Sequence, residues 1–260
     1  MLITICGRAG SKGFKNKNLK SLLGIPLVYY SLANAMYLKA HTADAQVDIC
    51  LNTDSEELIG LVEKARCGVE IIRRPEYLCG GTVGKFEVYK HCLKVMEERK
   101  GYLYDYMIDL DITSPMRKLD DSLNALNCHR ACPDADLTIT GCPSRRNPYF
   151  NMVEEDGSFV KKVINIPIEA RQQAPKVYDM NASIYVLRSG FVRDENQHLI
   201  LNGRSIIYQM YDTAILDIDS EEDFELMTVI AKYLFEGNKE FNEMYNATKA
   251  FYEEVKARDE

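Results

Sequence analysis

The chain is 260 residues long and carries a formal net charge of −7; 46% of its residues are hydrophobic and 27% are charged. This length supports one substantial hydrophobic core, so we expect a single domain over residues 1–260. The acidic balance argues against a nucleic-acid-binding protein, and no apolar run approaches the roughly 20 residues that cross a bilayer.

The first predicted strand, residues 2–6, precedes the most informative segment of the chain. Residues 8–20 contain five lysines and arginines and no acidic residue; the whole chain carries −7, so the rest carries −12. Glycines in this segment leave backbone N–H groups free and allow an anion to approach closely. The segment therefore predicts a polyphosphate-binding loop, the alternative being a solvated basic turn.

This loop matches neither of two common phosphate-binding motifs. A Walker loop requires Lys directly after its last glycine, but Phe14 follows Gly13 here. A dinucleotide fingerprint separates its first two glycines by one residue, whereas Gly7 and Gly10 lie further apart. The sequence predicts a phosphate loop of another kind.

Strands and helices alternate along most of the chain. The patterns predict strands at 2–6, 47–52, 69–73, 105–112 and 136–141. They predict helices at 26–40, 55–66, 84–99 and 119–131. Because this alternation is typical of βαβ units, we expect an α/β fold with a Rossmann-like, mostly parallel sheet and helices on both faces.

Residues 143–180 interrupt the alternation. Segments 148–153 and 159–164 flank a turn that contains Asp-Gly, which predicts a β-hairpin. A polar loop, 165–180, then precedes a strand at 182–187. The chain ends in a helical stretch over 220–257, with a break near Gly237.

Two aspartates near the end of the chain are candidate metal ligands. Asp217 and Asp219 follow a predicted apolar strand at 213–216, and alternate spacing places both carboxylates on one face. Paired carboxylates at a strand end suit Mg²⁺. The alternative is a helix start, because Ser220 and Asp223 form a capping-box pattern, although this gives no reason for Asp217.

Other polar groups have two interpretations. Asp109 and Asp111 repeat the same spacing at the end of the fourth strand, and are either functional or satisfied buried carboxylates. Cys128, His129 and Cys132 suggest a metal site, but packing on a helix explains them better. The eight cysteines form no Cys-x-x-Cys pair, which indicates reduced thiols and a cytoplasmic location. Arg8 follows only six uncharged residues and a glycine, so we expect no signal peptide.

A colinear set of motifs resembles the acylneuraminate (CMP-sialic acid) cytidylyltransferases. The resemblance begins in the first loop, at Arg8, Ser11, Lys12, Gly13, Lys17 and Asn18. It continues at 52–55, 74–78, 113–117, 171–173, 181–185 and 217–219, and so spans roughly residues 2–230. It implies the nucleotide-diphospho-sugar transferase type of fold. The implied enzyme joins CTP to a 2-keto-3-deoxy nonulosonic acid, giving the CMP-sugar and pyrophosphate.

The resemblance also implies roles for individual residues. The expected catalytic residues are Arg8, Lys12, Lys17 and Asp111. The expected nucleotide contacts are Arg8, Ser11, Lys12, Lys17, Asn18 and Arg74. The expected contacts to the sugar acid are Asp111, Arg171, Gln172, Asn181 and Tyr185. Mg²⁺ is expected on Asp217 and Asp219, and a homodimer is expected because the excursion at 143–180 reaches a second subunit in that family.

Departures from the sialic acid enzymes bear on the substrate. Asp111 occupies a position that is usually Gln there, and Asp179-Met180-Asn181-Ala182-Ser183 replaces a commoner x-x-Asn-Gly-Ala. These choices resemble the legionaminic-type branch. Alternatives are a different sugar nucleotidyltransferase, a metal-dependent glycosyltransferase using Asp109 and Asp111, or a non-catalytic nucleotide-binding subunit. The glycosyltransferase would leave the cationic loop unused.

Overall fold

A computed structural model describes residues 1–10, 13–81, 83–214 and 216–259 of the chain. Ser11 and Lys12, two of the predicted nucleotide contacts, lie outside the described residues. The strands are β1 (Leu2–Cys6), β2 (Ser21–Leu22), β3 (Ile25–Pro26), β4 (Asp48–Thr53), β5 (Val69–Arg73), β6 (Tyr106–Leu110), β7 (Leu137–Pro143), β8 (Val153–Asp156), β9 (Phe159–Lys162), β10 (Tyr178–Arg188) and β11 (Ser205–Gln209).

The helices follow the predicted alternation. They are α1 (Leu27–His41), α2 (Glu56–Ala65), α3 (Lys85–Lys100), α4 (Leu119–Arg130), α5 (Ser189–Arg193), α6 (Glu221–Gly237) and α7 (Lys239–Asp259). The break predicted near Gly237 separates α6 from α7. Within the described ranges, no helix has the length and apolar content needed to cross a membrane.

Seven strands form one sheet in the spatial order β11-β7-β10-β6-β1-β4-β5. Strand β1 pairs in parallel with β4 and β6, and the β4–β5 and β7–β11 pairs are also parallel. Strand β10 is antiparallel to both of its neighbours, β6 and β7. The predicted mostly parallel sheet is confirmed, with β10 as its reversed strand.

Helices cover both faces of this sheet, as predicted. Every residue of β1 is buried, which is typical of a central strand with both faces covered. Ile3 and Ile5 pack into a core shared with α1, α2, α4, α6 and α7. Leu2 and Cys6 point to the opposite core, which α3 and α5 complete. The alternation of side chains along one strand therefore supplies both cores.

The strand predicted at 213–216 is wrong at the residues that the structure describes; Ile215 lies outside them. Residues Asp212–Ala214 form a 3₁₀ turn, and Leu216 lies in an irregular segment. The outermost position beside β7 is occupied instead by β11, Ser205–Gln209, which the sequence patterns did not predict. The chain has therefore left the sheet before it reaches Asp217.

The predicted hairpin is present, but its first strand begins later than expected. Strands β8 and β9 pair from Val153 opposite Lys162 to Asp156 opposite Phe159, leaving a two-residue turn. Gly157 adopts a left-handed φ of 64° in this turn, a conformation that glycine allows without strain. Strand β10 also begins at Tyr178, so the end of the loop predicted at 165–180 belongs to the sheet.

Candidate active site

A cavity of about 320 Å³ opens at the carboxyl ends of β1, β5 and β6. From β1 the chain runs to β4 and β5 on one side and then returns to β6 on the other side of β1. Ligands of α/β sheets bind at such a switch point. Residues from loops distant in sequence line the cavity, including Gly7, Arg8, Lys17, Asn18, Arg74, Gly80, Gly81, Lys85, Asp111, Thr113, Ala182 and Asp217.

The loop after β1 is held against its neighbours by backbone contacts. The Gly7 N–H donates to the Asn52 carbonyl oxygen at 3.1 Å, and a Cβ on Gly7 would lie 2.7 Å from the Leu58 side chain. The buried Asn18 amide donates to the Arg8 carbonyl oxygen at 2.9 Å. Asn18 therefore shapes the loop as well as lining the cavity.

The cationic loop and the late aspartates meet at this cavity. The Lys17 ammonium donates to the Ile218 carbonyl oxygen at 2.8 Å and to Oδ1 of Asp219 at 2.9 Å. A Cβ on Gly13 would lie 2.7 Å from the Asp219 carbonyl oxygen. The two segments that the sequence predicts to act together are in direct contact.

Asp217 and Asp219 have different environments. Asp219 is exposed over 78% of its side chain and pairs with Lys17. Asp217 lines the cavity, and its Oδ1 is buried without a hydrogen-bond partner among the described residues. Burial and the nearby charge of Asp111 raise the pKa of the Asp217 carboxyl. An unsatisfied buried carboxylate oxygen suits a divalent cation.

The helix-start alternative explains only part of this segment. Ser220 Oγ accepts from the Asp223 N–H at 3.1 Å, and Asp223 Oδ2 accepts from the Ser220 N–H at 2.8 Å. These bonds form the capping box of α6. They do not involve the side chain of Asp217, whose Oδ1 stays available for a ligand.

Asp109 is a fully satisfied buried carboxylate. It accepts hydrogen bonds of 2.8 Å from the Thr4 and Tyr89 hydroxyls, and the Lys85 ammonium lies 2.7 Å away. The side chain has no exposed surface. Of the two interpretations open for Asp109, the structure favours the structural one.

Asp111 faces the cavity and is held as an anion. Its Oδ2 is 2.5 Å from the Lys85 ammonium, and its Oδ1 accepts from the Thr113 N–H and hydroxyl at 2.8 Å each. Burial alone would raise the pKa of the Asp111 carboxyl, but Lys85 and Thr113 lower it to about 2. Asp111 is therefore ionised, so it accepts hydrogen bonds but is a weak base.

Lys85 is a cavity residue that the sequence analysis missed. It lines the cavity as the first residue of α3. A cation at a helix N-terminus interacts unfavourably with the helix dipole. A lysine at the start of a predicted helix could therefore have indicated a functional side chain.

Arg74 reaches the cavity, while the neighbouring Arg73 does not. Nε of Arg74 donates to Oδ1 of Asn52 at 2.7 Å, and its backbone N–H donates to the Thr53 carbonyl oxygen at 2.8 Å. Arg73 instead forms an exposed ion pair with Glu56. Of the two arginines, Arg74 is the one that lines this cavity, and its contact with the nucleotide stays a prediction.

The five residues predicted to contact the sugar acid do not all lie at the same cavity. Tyr185 lies beside the first cavity, with the Lys85 ammonium 5.8 Å from its ring centre. Arg171 and Gln172 line a second cavity of about 510 Å³ together with Ser144 and other residues of the excursion. The structure does not bring these two residues together with Asp111.

Asn181 is buried within the sheet. Its amide accepts from the Ser183 N–H at 3.3 Å and donates to the Met210 sulfur at 3.4 Å. It lies where the pairing of β10 with β7 shifts register. These contacts support the irregular part of β10, next to the cavity-lining Ala182.

The alternative metal site at Cys128, His129 and Cys132 gains no support. Nδ1 of His129 lies 2.9 Å from the Thr138 hydroxyl, and the imidazole has no exposed surface. Among the residues that the structure describes, no group of three or more His, Cys, Asp and Glu could hold a metal ion. His129 is a core residue.

The cationic loop after β1 and the pair Asp217 and Asp219 thus meet at the switch point of a doubly wound sheet. A family model described as cytidylyltransferase matches residues 2–116. The chain is 34% identical to the post-translational flagellin modification protein B of Campylobacter coli, over 89% of this chain and 95% of that protein. It is 32% identical to the CMP-N,N'-diacetyllegionaminic acid synthase of Campylobacter jejuni, over 87% of this chain and 93% of that one. The chain belongs to the cytidylyltransferase family.

Solved structures agree with this fold. The structure of CMP:2-keto-3-deoxy-manno-octonic acid synthetase complexed with CTP superposes with a TM-score of 0.61 at 15% identity. The match covers 89% of this chain and 98% of that chain. The resemblance and the fold class inferred from the sequence are confirmed, and the protein is an enzyme. Cytidylyltransferases of this kind typically use a divalent metal ion.

Proposed function

We propose that this enzyme joins CTP to a 2-keto-3-deoxy nonulosonic acid, of the legionaminic or sialic acid type, and releases pyrophosphate. The observation that carries the proposal is the contact of Lys17 with Asp219, which unites the cationic loop and the aspartate pair at one cavity. The similarity to a CMP-N,N'-diacetyllegionaminic acid synthase supports the legionaminic type.

In the proposed reaction, the anomeric hydroxyl oxygen of the sugar acid attacks the α-phosphorus of CTP. The new oxygen–phosphorus bond forms as the bond from the α-phosphorus to the bridging oxygen breaks; pyrophosphate leaves, and the hydroxyl proton passes to solvent. Arg8 and Lys17, with Ser11 and Lys12 of the same loop, position the triphosphate and stabilise the charge on the leaving group. Asn18 and Arg74 complete the nucleotide side of the cavity.

Asp217 and Asp219 are the residues that would hold Mg²⁺. The unsatisfied Oδ1 of Asp217 supports this role, because Mg²⁺ prefers carboxylate oxygens. When bound, Mg²⁺ neutralises phosphate charge. The glycosyltransferase alternative placed its metal on Asp109 and Asp111, and the complete hydrogen bonding of Asp109 argues against that placement.

The sugar acid would contact Asp111, which lines the cavity, and Tyr185, which lies beside Lys85. Because Lys85 and Thr113 hold the pKa of Asp111 at about 2, Asp111 acts in this proposal as a hydrogen-bond acceptor and not as the catalytic base. A guanidinium such as that of Arg171 suits the carboxylate of the sugar acid. Arg171 and Gln172 line the second cavity, so their contact with the sugar acid is what the resemblance implies.

We further propose that residues 1–260 act as one domain and assemble as a homodimer through the excursion at 143–180. Phe159 is 82% exposed and Val160 is 65% exposed on the β8–β9 hairpin. An isolated two-stranded hairpin is marginally stable in water, so a second copy of the chain that covers these residues would stabilise it.

The eight cysteines, all within the described ranges, are free thiols, which supports a cytoplasmic location.

A substrate panel tests the proposed function. The purified enzyme with Mg²⁺ is incubated with CTP, GTP or ATP and with legionaminic, N-acetylneuraminic or pseudaminic acid or the eight-carbon acid Kdo. We expect pyrophosphate release with CTP and legionaminic acid above all. A clear preference for N-acetylneuraminic acid would overturn the legionaminic assignment, and no release with any sugar acid would overturn the synthase proposal.

The Asp217→Asn variant tests the proposed role of Asp217 as a metal ligand. The enzyme should lose turnover by about 100-fold or more when this carboxylate is removed. Glu222→Gln, an exposed carboxylate on the first turn of α6, serves as the control and should keep turnover. Unchanged turnover in Asp217→Asn would contradict the assigned role.

A further inference from the structure

Lys85 joins a buried carboxylate to one at the cavity. Its ammonium is 2.7 Å from Oδ2 of Asp109 and 2.5 Å from Oδ2 of Asp111. Asp109 has no exposed surface, whereas 14% of the Asp111 side chain and 32% of the Lys85 side chain are exposed. The three side chains therefore form a connected series from the interior of the sheet to the cavity wall.

The inner end of this series is rigidly held. Asp109 lies on the central strand β6 and accepts hydrogen bonds from Thr4 on β1 and Tyr89 on α3. Tyr89 is one helical turn beyond Lys85, and its ring centre lies 5.7 Å from the Lys85 ammonium. Contacts from two strands and one helix thus fix the position of the ammonium.

The outer end presents a fixed negative charge to the cavity. Oδ1 of Asp111 accepts two hydrogen bonds from Thr113, and Oδ2 is paired with Lys85. An ionised carboxylate only accepts hydrogen bonds, so it attracts hydroxyl and amide N–H groups and repels phosphates. The carboxylate therefore favours an uncharged, donor-bearing part of a substrate over the triphosphate.

We propose that Lys85 is a positioning residue for the sugar acid: anchored by Asp109, it fixes Asp111 as the acceptor for hydroxyl or amide N–H donors of that substrate. This inference rests on the proposed function and adds the group that selects the second substrate. It assigns to Lys85 an effect on the sugar acid and none on CTP.

Paired variants test the inference without leaving excess buried charge. Lys85→Met alone would leave two carboxylates without a cation, which endangers folding. The comparison is therefore between Asp109→Asn and the double variant Lys85→Met with Asp109→Asn, which restores the formal charge of the wild-type cluster. Lys94→Met, an exposed lysine on the same helix, is the control for removal of a lysine. Thermal unfolding of each variant confirms that it is folded.

The readouts are KM for the sugar acid that the wild-type enzyme uses and the dissociation constant of CTP measured by titration without sugar. We expect the double variant to raise KM for the sugar acid about tenfold over Asp109→Asn. The CTP dissociation constant should stay within about twofold. Replacing Lys85 by Arg in the Asp109→Asn background should recover most of the loss.

Two results would overturn the inference. One is an equal KM for the sugar acid in Asp109→Asn and the double variant; the other is a parallel loss of CTP affinity, which would place Lys85 on the nucleotide. Wild-type turnover reports on the proposed function by itself. The Lys85 inference depends only on the ratio between variants, so failure of one is distinguishable from failure of the other.

Discussion

Lys17 and Asp219 are 202 positions apart in sequence, yet the Lys17 ammonium lies 2.9 Å from Oδ1 of Asp219. The same ammonium donates to the backbone oxygen of Ile218. Exposed ion pairs contribute at most about 1 kcal/mol to stability, so the main effect of this contact is to join the first loop to the segment before α6. Both segments thereby bound the same cavity.

Lys17→Met should impair catalysis far more than stability. Loss of this cation removes charge stabilisation from the triphosphate, so we expect kcat/KM for CTP to fall about 100-fold or more. The melting temperature should change by only a few degrees, about the effect of an exposed ion pair. Lys15→Met, an exposed lysine in the same loop, is the matched control. Equal losses of activity in the two variants would contradict a specific role for Lys17.

Gly13→Ala tests the close approach of the two segments. The added Cβ would lie 2.7 Å from the Asp219 carbonyl oxygen, so one backbone must move. We expect steady-state kinetics to show a loss of about tenfold or more in kcat/KM. Gly60→Ala in α2 meets no atom within 4 Å and should raise stability by about 0.5–1 kcal/mol with activity kept. Full activity of Gly13→Ala would show that the approach is not required.

Asp217→Asn should stabilise the metal-free protein. Burial and Asp111 raise the pKa of the Asp217 carboxyl above its unfolded value, so unfolding free energy falls as pH rises through the folded pKa. Asparagine cannot ionise, and near pH 8 with chelator its melting temperature should exceed that of the wild type by about 2 °C or more. Mg²⁺ should stabilise the wild type and not the variant. A lower melting temperature without metal would contradict this reasoning.

His129 should make the protein less stable in mild acid. Burial lowers the pKa of its imidazole to about 4, below the unfolded value of about 6.5. Its stabilising effect is complete above pH 6.5 and is lost as pH falls toward 4. At pH 5 the loss amounts to about 1–2 kcal/mol with allowance for solvent screening. Urea unfolding at pH 7 and pH 5 should show a smaller loss for His129→Gln, and an equal loss would contradict the prediction.

Phe159→Ser with Val160→Ser should convert the proposed dimer to a monomer. Both side chains are exposed on the hairpin and would lose apolar area buried against a second copy. Light scattering after size exclusion measures the mass. Leu103→Ser, at an exposed leucine remote from the hairpin, is the control and should leave the dimer intact. A wild-type monomer would contradict the dimer proposal outright.

Local patterns predicted much of this molecule. The charge of residues 8–20 and the spacing of Asp217 and Asp219 identified the segments that meet at the cavity. The alternation of strands and helices predicted the layered architecture of a sheet covered by helices. This was possible because the hydrophobic periodicity of a strand or a helix is visible within a short segment. The capping box of Ser220 and Asp223 also appeared where the sequence placed it.

What sequence left open depends on distant contacts. Asp109 and Asp111 have the same spacing as Asp217 and Asp219. Only the folded structure shows that the Asp109 carboxylate is paired with Thr4, Tyr89 and Lys85. Adjacent arginines at 73 and 74 were separable only once their partners were known. The strand predicted at 213–216 failed because strand formation depends on tertiary context as well as on an apolar run, and β11 holds the position beside β7.

The reversed direction of β10 has a consequence for how such a protein can diversify. Strand β7 ends and β10 begins at the same end of the sheet, where Pro143 is paired with Tyr178 and the Ser144 N–H donates to the Val177 carbonyl oxygen. The segment between them thus leaves the sheet and returns to it at adjacent positions. The entropic cost of closing this loop grows only slowly with its length. The segment can therefore change in length or sequence while the central sheet stays the same.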